Sequence, residues 1–218
     1  ITGGSAEKNI FRYGGGVYLN SGTFNMSGTA KITENKVSSN DKEIESDGGG
    51  VYVNNGTFNM SGRAEITNNQ ASGTGETLDG GGVAMTGGTF TMSENARITG
   101  NTAGRYGGGV YLWKGTFTMN GGELSGNTVT NGNGGGVYVW GFTTFNMTGG
   151  SITKNTATNS DYGYGYGSGV YVDPNGTFTV SGTPTVKENK NSRGNVYLAS
   201  ATSSGTTAAV TVSGPLNE

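Results

Sequence analysis

One pentapeptide recurs along this chain and leaves it few ways to fold. Gly14-Gly15-Gly16-Val17-Tyr18 returns with variations, its Val standing at 17, 51, 83, 110, 137, 170 and 196. The intervals run from 26 to 34 residues, around a minimal unit of about 27. Repetition at such a period is the mark of a solenoid or array. Each unit carries three short runs. The first is Val17-Tyr18-Leu19 and its equivalents. The second is Thr23-Phe24-Asn25-Met26, repeated at Thr57, Thr89, Thr116, Thr144 and Thr177. The third centres on Ile32, Ile66, Ile98, Leu124, Ile152 and Val186, each followed three residues later by an Asn.

Every run alternates apolar and polar residues, the pattern of a half-buried strand, and runs this short cannot be helices. Glycine triplets and Asn-Gly clusters between them supply turns. Three strands cannot bury their own apolar face, whereas stacked coils can, each strand pairing in parallel with its equivalent one coil on. The expected fold is therefore all-β, a parallel β-solenoid of about seven coils of three short strands. Connections between parallel strands favour the right hand, so a right-handed parallel β-helix is expected. Val17, Leu19, Phe24, Met26 and Ile32 should point inward. The Asn column Asn35, Asn69, Asn101, Asn127, Asn155 and Asn189 should line one turn, where amides can bond to the backbone and to one another. Just before the third-run apolar residue, Lys31, Glu65, Arg97 and Glu123 alternate in sign and should pair between coils.

Composition removes much chemistry. The 218 residues hold 44 Gly, no His and no Cys, with a net charge of −2. Imidazole bases, thiol nucleophiles, Cys/His zinc sites and disulfides are excluded. Nothing suggests nucleic-acid binding, since no basic run is present. No apolar segment is long enough for a membrane span. No cofactor is implied.

Gly-Gly-Gly-Val-Tyr, Gly-Thr-Phe-Thr-Met and Ile-Thr-Gly-Asn-Thr together resemble the β-helix repeats of large bacterial surface proteins from gut Firmicutes and spirochaetes. They are more distantly similar to the repeats of chlamydial polymorphic outer-membrane proteins, which form autotransporter passengers. The resemblance spans roughly residues 12–198. It implies a right-handed β-helix that is secreted or displayed at a bacterial cell surface. Residues 1–218 then read as a single β-helix domain of a longer repeat protein, stacked against neighbouring domains of its parent chain. Residues 1–11 would be a partial leading coil and 199–218 a partial trailing coil.

Function would sit on outward columns and loops. The outward position of the first run is Tyr18, Tyr52, Ala84, Tyr111, Tyr138, Tyr171 and Tyr197, an aromatic column broken once. Two residues further on, Trp113 and Trp140 should be neighbours in one register. The loop tyrosines Tyr162, Tyr164 and Tyr166 should reach the same strand face. Tyr111, Trp113, Tyr138, Trp140 and Tyr171 with these loop residues are the candidate ligand-binding platform, since aromatic faces with polar edges suit sugars and protein side chains. The same tyrosines could instead serve only as cross-strand pairs. An acidic insertion with Asp41, Glu43, Glu45 and Asp47, joined by Glu76 and Asp79 in the next coil, offers weak calcium candidates or simply a solvated charged loop. The expected role is a non-catalytic adhesion or display module binding a glycan or host surface protein. A passive stalk, an ice-binding face along the Thr-x-Thr/Asn column, and a polysaccharide-degrading enzyme are the alternatives. For the last, Glu65 and Glu123 lie two coils apart, but with Arg97 between them they read better as a charge ladder.

Overall fold

A computed structural model describes residues 5–6, 12–39, 41, 45–75, 77–159, 165–190, 192–200 and 208–216. Every strand in it is paired in parallel, coil upon coil, and no helix is present among the described residues. The first runs form one seven-stranded sheet from Val17–Leu19 to Val196–Leu198, and the second runs another, from Thr23–Met26 to Ala209–Leu216. The third runs form a six-stranded sheet. The chain is a parallel β-solenoid.

Register follows the repeat residue for residue. Val51 pairs with Val17 and Val83, and Phe90 with Phe58 and Phe117. Inside, Phe24, Phe58, Phe90, Phe117, Phe145 and Phe178 form one stack with ring centroids 4.6–5.2 Å apart. That spacing is close to the separation of adjacent strands, so identical residues in register stack their rings without strain. Columns of Met, Ile and Val fill the remaining interior.

A fourth strand per coil was not expected. Ser5–Ala6, Lys36–Ser39, Gln70–Gly73, Thr102–Ala103, Thr128–Val129 and Thr156–Ala157 make a further six-stranded sheet directly after the Asn turn. The stretches 36–47, 70–79 and 156–166 are thus not insertions from their first residue. Each opens as a regular strand, and the extra length follows it. The strands are short and carry only one inward apolar residue, such as Val37, Ala71 or Val129, too little for alternation to reveal.

Two turns show why the repeat is spelled as it is. Each Asn of the column follows a residue in the left-handed conformation: Glu34, Asn68, Gly100, Gly126, Lys154 and Glu188 have φ between 56° and 67°. Each Asn then donates through its backbone N–H and Nδ2 to Oδ1 of the next Asn at 2.9–3.0 Å. Nδ2 also donates back to a carbonyl such as Ile66 O or Ile98 O. Asn189 is served in turn by Asn195, which closes the described ladder. In the glycine triplet, Gly80 has φ +64°, and a Cβ at Gly81 would sit 2.6 Å from Gly108 O of the next coil. Only glycine permits that approach of backbones.

Outside, Lys31–Glu65 and Arg97–Glu123 pair at 2.8 and 3.0 Å, as the sign alternation predicts. Being exposed, they contribute about 0–1 kcal/mol each.

Candidate functional site

The tyrosine column faces away from the core, yet most of it is not exposed. Tyr111 and Tyr138 are only 3% exposed, and Tyr52 is buried as well. A second layer covers them. Four residues before the repeat Val, three of the seven coils carry a tyrosine, Tyr13, Tyr106 and Tyr166, which packs over the outward column. Tyr13 stacks on Tyr52 at 4.3 Å and Tyr106 packs on Tyr138 at 4.4 Å. Tyr138 and Tyr171 stack at 4.7 Å. Alternation correctly places these side chains outward; the expectation of a continuous exposed platform fails because the incoming loops roof it over. Tyr111 and Tyr138 are corrected to buried, with Tyr171 half-buried. Their hydroxyls respond accordingly: burial pushes Tyr111 and Tyr138 far above the ordinary phenol range and Tyr52 up to about 12.

The tryptophans behave differently. Trp113 and Trp140 stack at 4.8 Å with planes 21° apart, and Trp113 remains 39% exposed. Trp140 covers one indole face of Trp113. On the other side the neighbouring coil offers only Thr86, because Val83–Met85 pairs with Val110–Leu112. The same coil carries Ala84 where its neighbours carry Tyr52 and Tyr111. The tyrosine column thus lacks its aromatic at this coil and the tryptophan pair ends against it, and a cleft of about 580 Å³ opens beside them. Tyr52, Asn54 and Thr86 line it on one side, Tyr111, Trp113 and Trp140 on the other. The volume falls within the range of about 300–1,000 Å³ common for small-molecule sites.

Charge enters the cleft from the roofing segments. Where other coils place Tyr13 or Tyr106, these two place Asp47 and Asp79, both buried. Asp47 Oδ1 accepts the backbone N–H of Asp79 at 2.9 Å. Asp79 accepts Arg105 Nε and Nη2 at 3.3 and 3.1 Å and the N–H of Tyr106 at 3.1 Å. Arg105 also lies over the Tyr106 ring, 4.6 Å from its centroid. Glu45 accepts a hydrogen bond from the Tyr13 hydroxyl. Burial pushes the Asp47 carboxyl well above the usual carboxylate range, and the Asp79 charge beside it adds to the effect. Burial raises Asp79 too, opposed by the Arg105 guanidinium. Asp47 of the acidic insertion is thus not solvated: it is buried and its carboxyl caps the next coil's backbone.

Of the calcium candidates, Asp41 is exposed, Glu43 lies outside the described residues, and Glu45 and Asp47 are bonded as above. Among the described residues no three acidic side chains converge on a point that could hold a metal ion. Tyr162 and Tyr164 also lie outside the described residues. Tyr166 is half-buried against Tyr197 at 4.6 Å, with Arg193 over its ring, and does not line the cleft. Of the eight candidate aromatics, the cleft brings together Tyr111, Trp113 and Trp140. The sequence reading passed over Asp79 as a ligand-facing group, Arg105, Thr86 and the exposed Phe142. The available signal was the single break at Ala84, which marks the coil where the cleft opens. Phe142, two residues beyond Trp140, is 88% exposed in a left-handed conformation with φ 60°.

A second groove of about 540 Å³ runs along the charge ladder between Arg63, Glu94 and Glu123. Its groups largely satisfy one another, Arg97 with Glu123 and Glu94 with the N–H of Gly62. The aromatic cleft is the better candidate site. No helix is long and apolar enough to cross a membrane among the described residues. No family model, curated protein or solved structure matches this chain.

Proposed function

We propose that this chain is a non-catalytic extracellular adhesion or display module of a bacterial surface protein. In this reading a stiff right-handed β-helix holds the aromatic cleft away from the cell, and the cleft binds a glycan. The observation that carries the reading is the Trp113–Trp140 stack, half-open to solvent at the mouth of a cleft that combines ring faces with carboxylates, Arg105, Asn54 and Thr86. Apolar ring faces meet the C–H face of a sugar while polar groups beside them bond its hydroxyls. A large apolar surface left open beside a thin core marks an interaction site.

Burial of Tyr52, Tyr111 and Tyr138 favours a second reading, in which the aromatics serve stability alone and the chain is a passive stalk. A glycan and mucin array separates the two. Binding by the intact chain that Trp113→Ala/Trp140→Ala loses supports the adhesion module. No binding to any glycan by a chain with β-type circular dichroism makes the stalk the better reading. Release of reducing ends from a bound polysaccharide would overturn the non-catalytic assignment.

A further inference from the structure

We infer that the cleft takes a single sugar ring bearing a protonated amine, seated over Thr86 against the open face of Trp113. The inference deepens the glycan reading and rests on it. Two observations, independent of each other, lead to it.

The first is steric. Adjacent coils are about 4.8 Å apart, so the layers carrying Tyr52/Asn54 and Tyr111/Trp113 are separated by roughly 9.6 Å. Between two faces at that distance there is room for one ring-thick guest in contact with both. On the other side of Trp113 an aromatic side chain fills the equivalent place, Trp140. At the coil between, the place is held by Thr86, which lines the cleft and whose hydroxyl donates to the Tyr52 hydroxyl at 3.2 Å, while Ala84 lies fully buried beneath. The free indole face of Trp113 looks into this slot. A pyranose ring would complete the stack that the chain itself leaves incomplete.

The second is electrostatic. The cleft holds three carboxylates, Glu45, Asp47 and Asp79, against two cations, Arg105 and Lys114. Arg105 is spent on Asp79, with a second interaction to the Tyr106 ring. Lys114 is exposed at the rim. Among the described residues neither Glu45 nor Asp47 forms an ion pair. A buried carboxyl such as Asp47 is costly to ionise without a cation and is held protonated until a counter-charge is supplied from outside. A ligand ammonium would meet carboxylates on one side and ring faces on the other, the arrangement that favours cation binding over aromatic surfaces.

The test is calorimetric titration of the chain with three β-1,4-linked trimers at physiological salt: glucosamine, N-acetylglucosamine and glucose. The amine-bearing trimer is expected to bind at least ten-fold more tightly than the other two. Asp47→Asn should remove most of that preference while leaving the weaker binding of the neutral trimers. Thr86→Trp, which continues the tryptophan column into the slot and should fold because it extends an existing stack, should abolish binding of all three. Equal affinity for the amine-bearing and neutral trimers would overturn the cationic assignment and leave the glycan reading standing. Undiminished binding by Thr86→Trp would overturn the placement in the slot. Absence of binding by any trimer, together with a blank glycan array, would remove both readings.

Discussion

Replacing Asn101 by Ala tests what holds the coils together. Asn101 is fully buried and takes part in five hydrogen bonds that involve its side chain or its own N–H. Alanine keeps only the backbone bond from Asn101 N–H to Asn127 Oδ1 at 3.0 Å. It removes the acceptor for Asn69 N–H at 2.9 Å and for Asn69 Nδ2 at 3.0 Å. It also removes the donor to Asn127 Oδ1 and Ile66 O. Asn69 Nδ2 retains its bond to Ile32 O, so one N–H of that amide and the whole backbone N–H are stranded in the interior. Each stranded donor costs about 1–3 kcal/mol, giving about 2–6 kcal/mol for the pair. Domains of this size are stable by only about 5–15 kcal/mol, so the loss is a large share of the total. With an m-value of about 2 kcal/mol/M, the urea midpoint followed by circular dichroism should fall by roughly 1–3 M. The control is Asn59→Ala, which removes an amide–amide bond of 2.9 Å to Asn25 that is solvent-exposed. Water replaces that bond, and the expected cost is within about 0.5 kcal/mol. If the two variants lost equal stability, the buried amide ladder would not be what fixes the coil stacking.

The other predictions concern the cleft. Asp47→Asn should raise the thermal midpoint at neutral pH, because the amide keeps an acceptor for Asp79 N–H and removes a desolvated charge. The sign is set by the raised folded-state pKa of Asp47: the wild type is favoured below the unfolded carboxyl value and loses that contribution as pH rises through the folded one. Thermal scans across the acid-to-neutral range should therefore show a flatter profile for the variant, and an unchanged slope would refute the assignment. Arg105→Leu leaves Asp79 buried without its cation; with Arg105 partly exposed, the loss should sit near the low end of such cases, about 3 kcal/mol, read by denaturation. Arg105→Lys should recover only part of it, since a lysine cannot reproduce the two-pronged bond. Phe142→Asn should stabilise by roughly 0.5–1 kcal/mol, because Asn tolerates the left-handed conformation better than Phe. If Phe142 contacts the ligand, the same variant binds glycan more weakly while melting higher; unchanged affinity would remove it from the site.

The fold was legible because its repeat is nearly exact in register. Val17, Phe24, Ile32 and Asn35 with their equivalents spell inward positions and one turn, and parallel stacking is the only way to bury them. The fourth strand escaped because Thr102–Ala103 or Thr156–Ala157 has too few residues to display alternation; its existence is a consequence of the bend after the Asn, visible only in three dimensions. The site was half legible. Pairing of Trp113 with Trp140 follows directly from their 27-residue separation, as does the column of tyrosines. Their exposure does not follow. Whether an outward residue meets water depends on what the preceding loop lays over it, and nothing in the spacing of Tyr13 or Tyr106 from the next strand indicates that they fold back across it. Asp47 and Asp79 were misread for the same reason, as a charge run in water rather than as substitutes for roofing tyrosines.

That substitution gives the cleft its character. At three of the seven coils the roofing position is a tyrosine, Tyr13, Tyr106 or Tyr166, and where it packs on an outward tyrosine the pair is an apolar layer that adds to a thin core. At two consecutive coils the roof becomes Asp47 and Asp79, and at the second of them the covered residue becomes Ala84. Stability would favour tyrosine at these places, since the alternatives forfeit ring stacking and desolvate carboxylates. The roofing position lacks tyrosine at Asn133 and Ser192 too, but only at Ala84 is the outward tyrosine lost as well. Asp47, Asp79 and Ala84 fall on neighbouring coils, the Trp113–Trp140 stack spans the next two, and the cleft is continuous with that stack. A solenoid built only for stiffness has no use for such a local sacrifice, because its columns gain most when every coil is alike. The coincidence of Ala84, the buried Asp47 and Asp79 and the half-exposed Trp113 in one stretch of this face is the physical argument for a binding site rather than a blemish in the repeat.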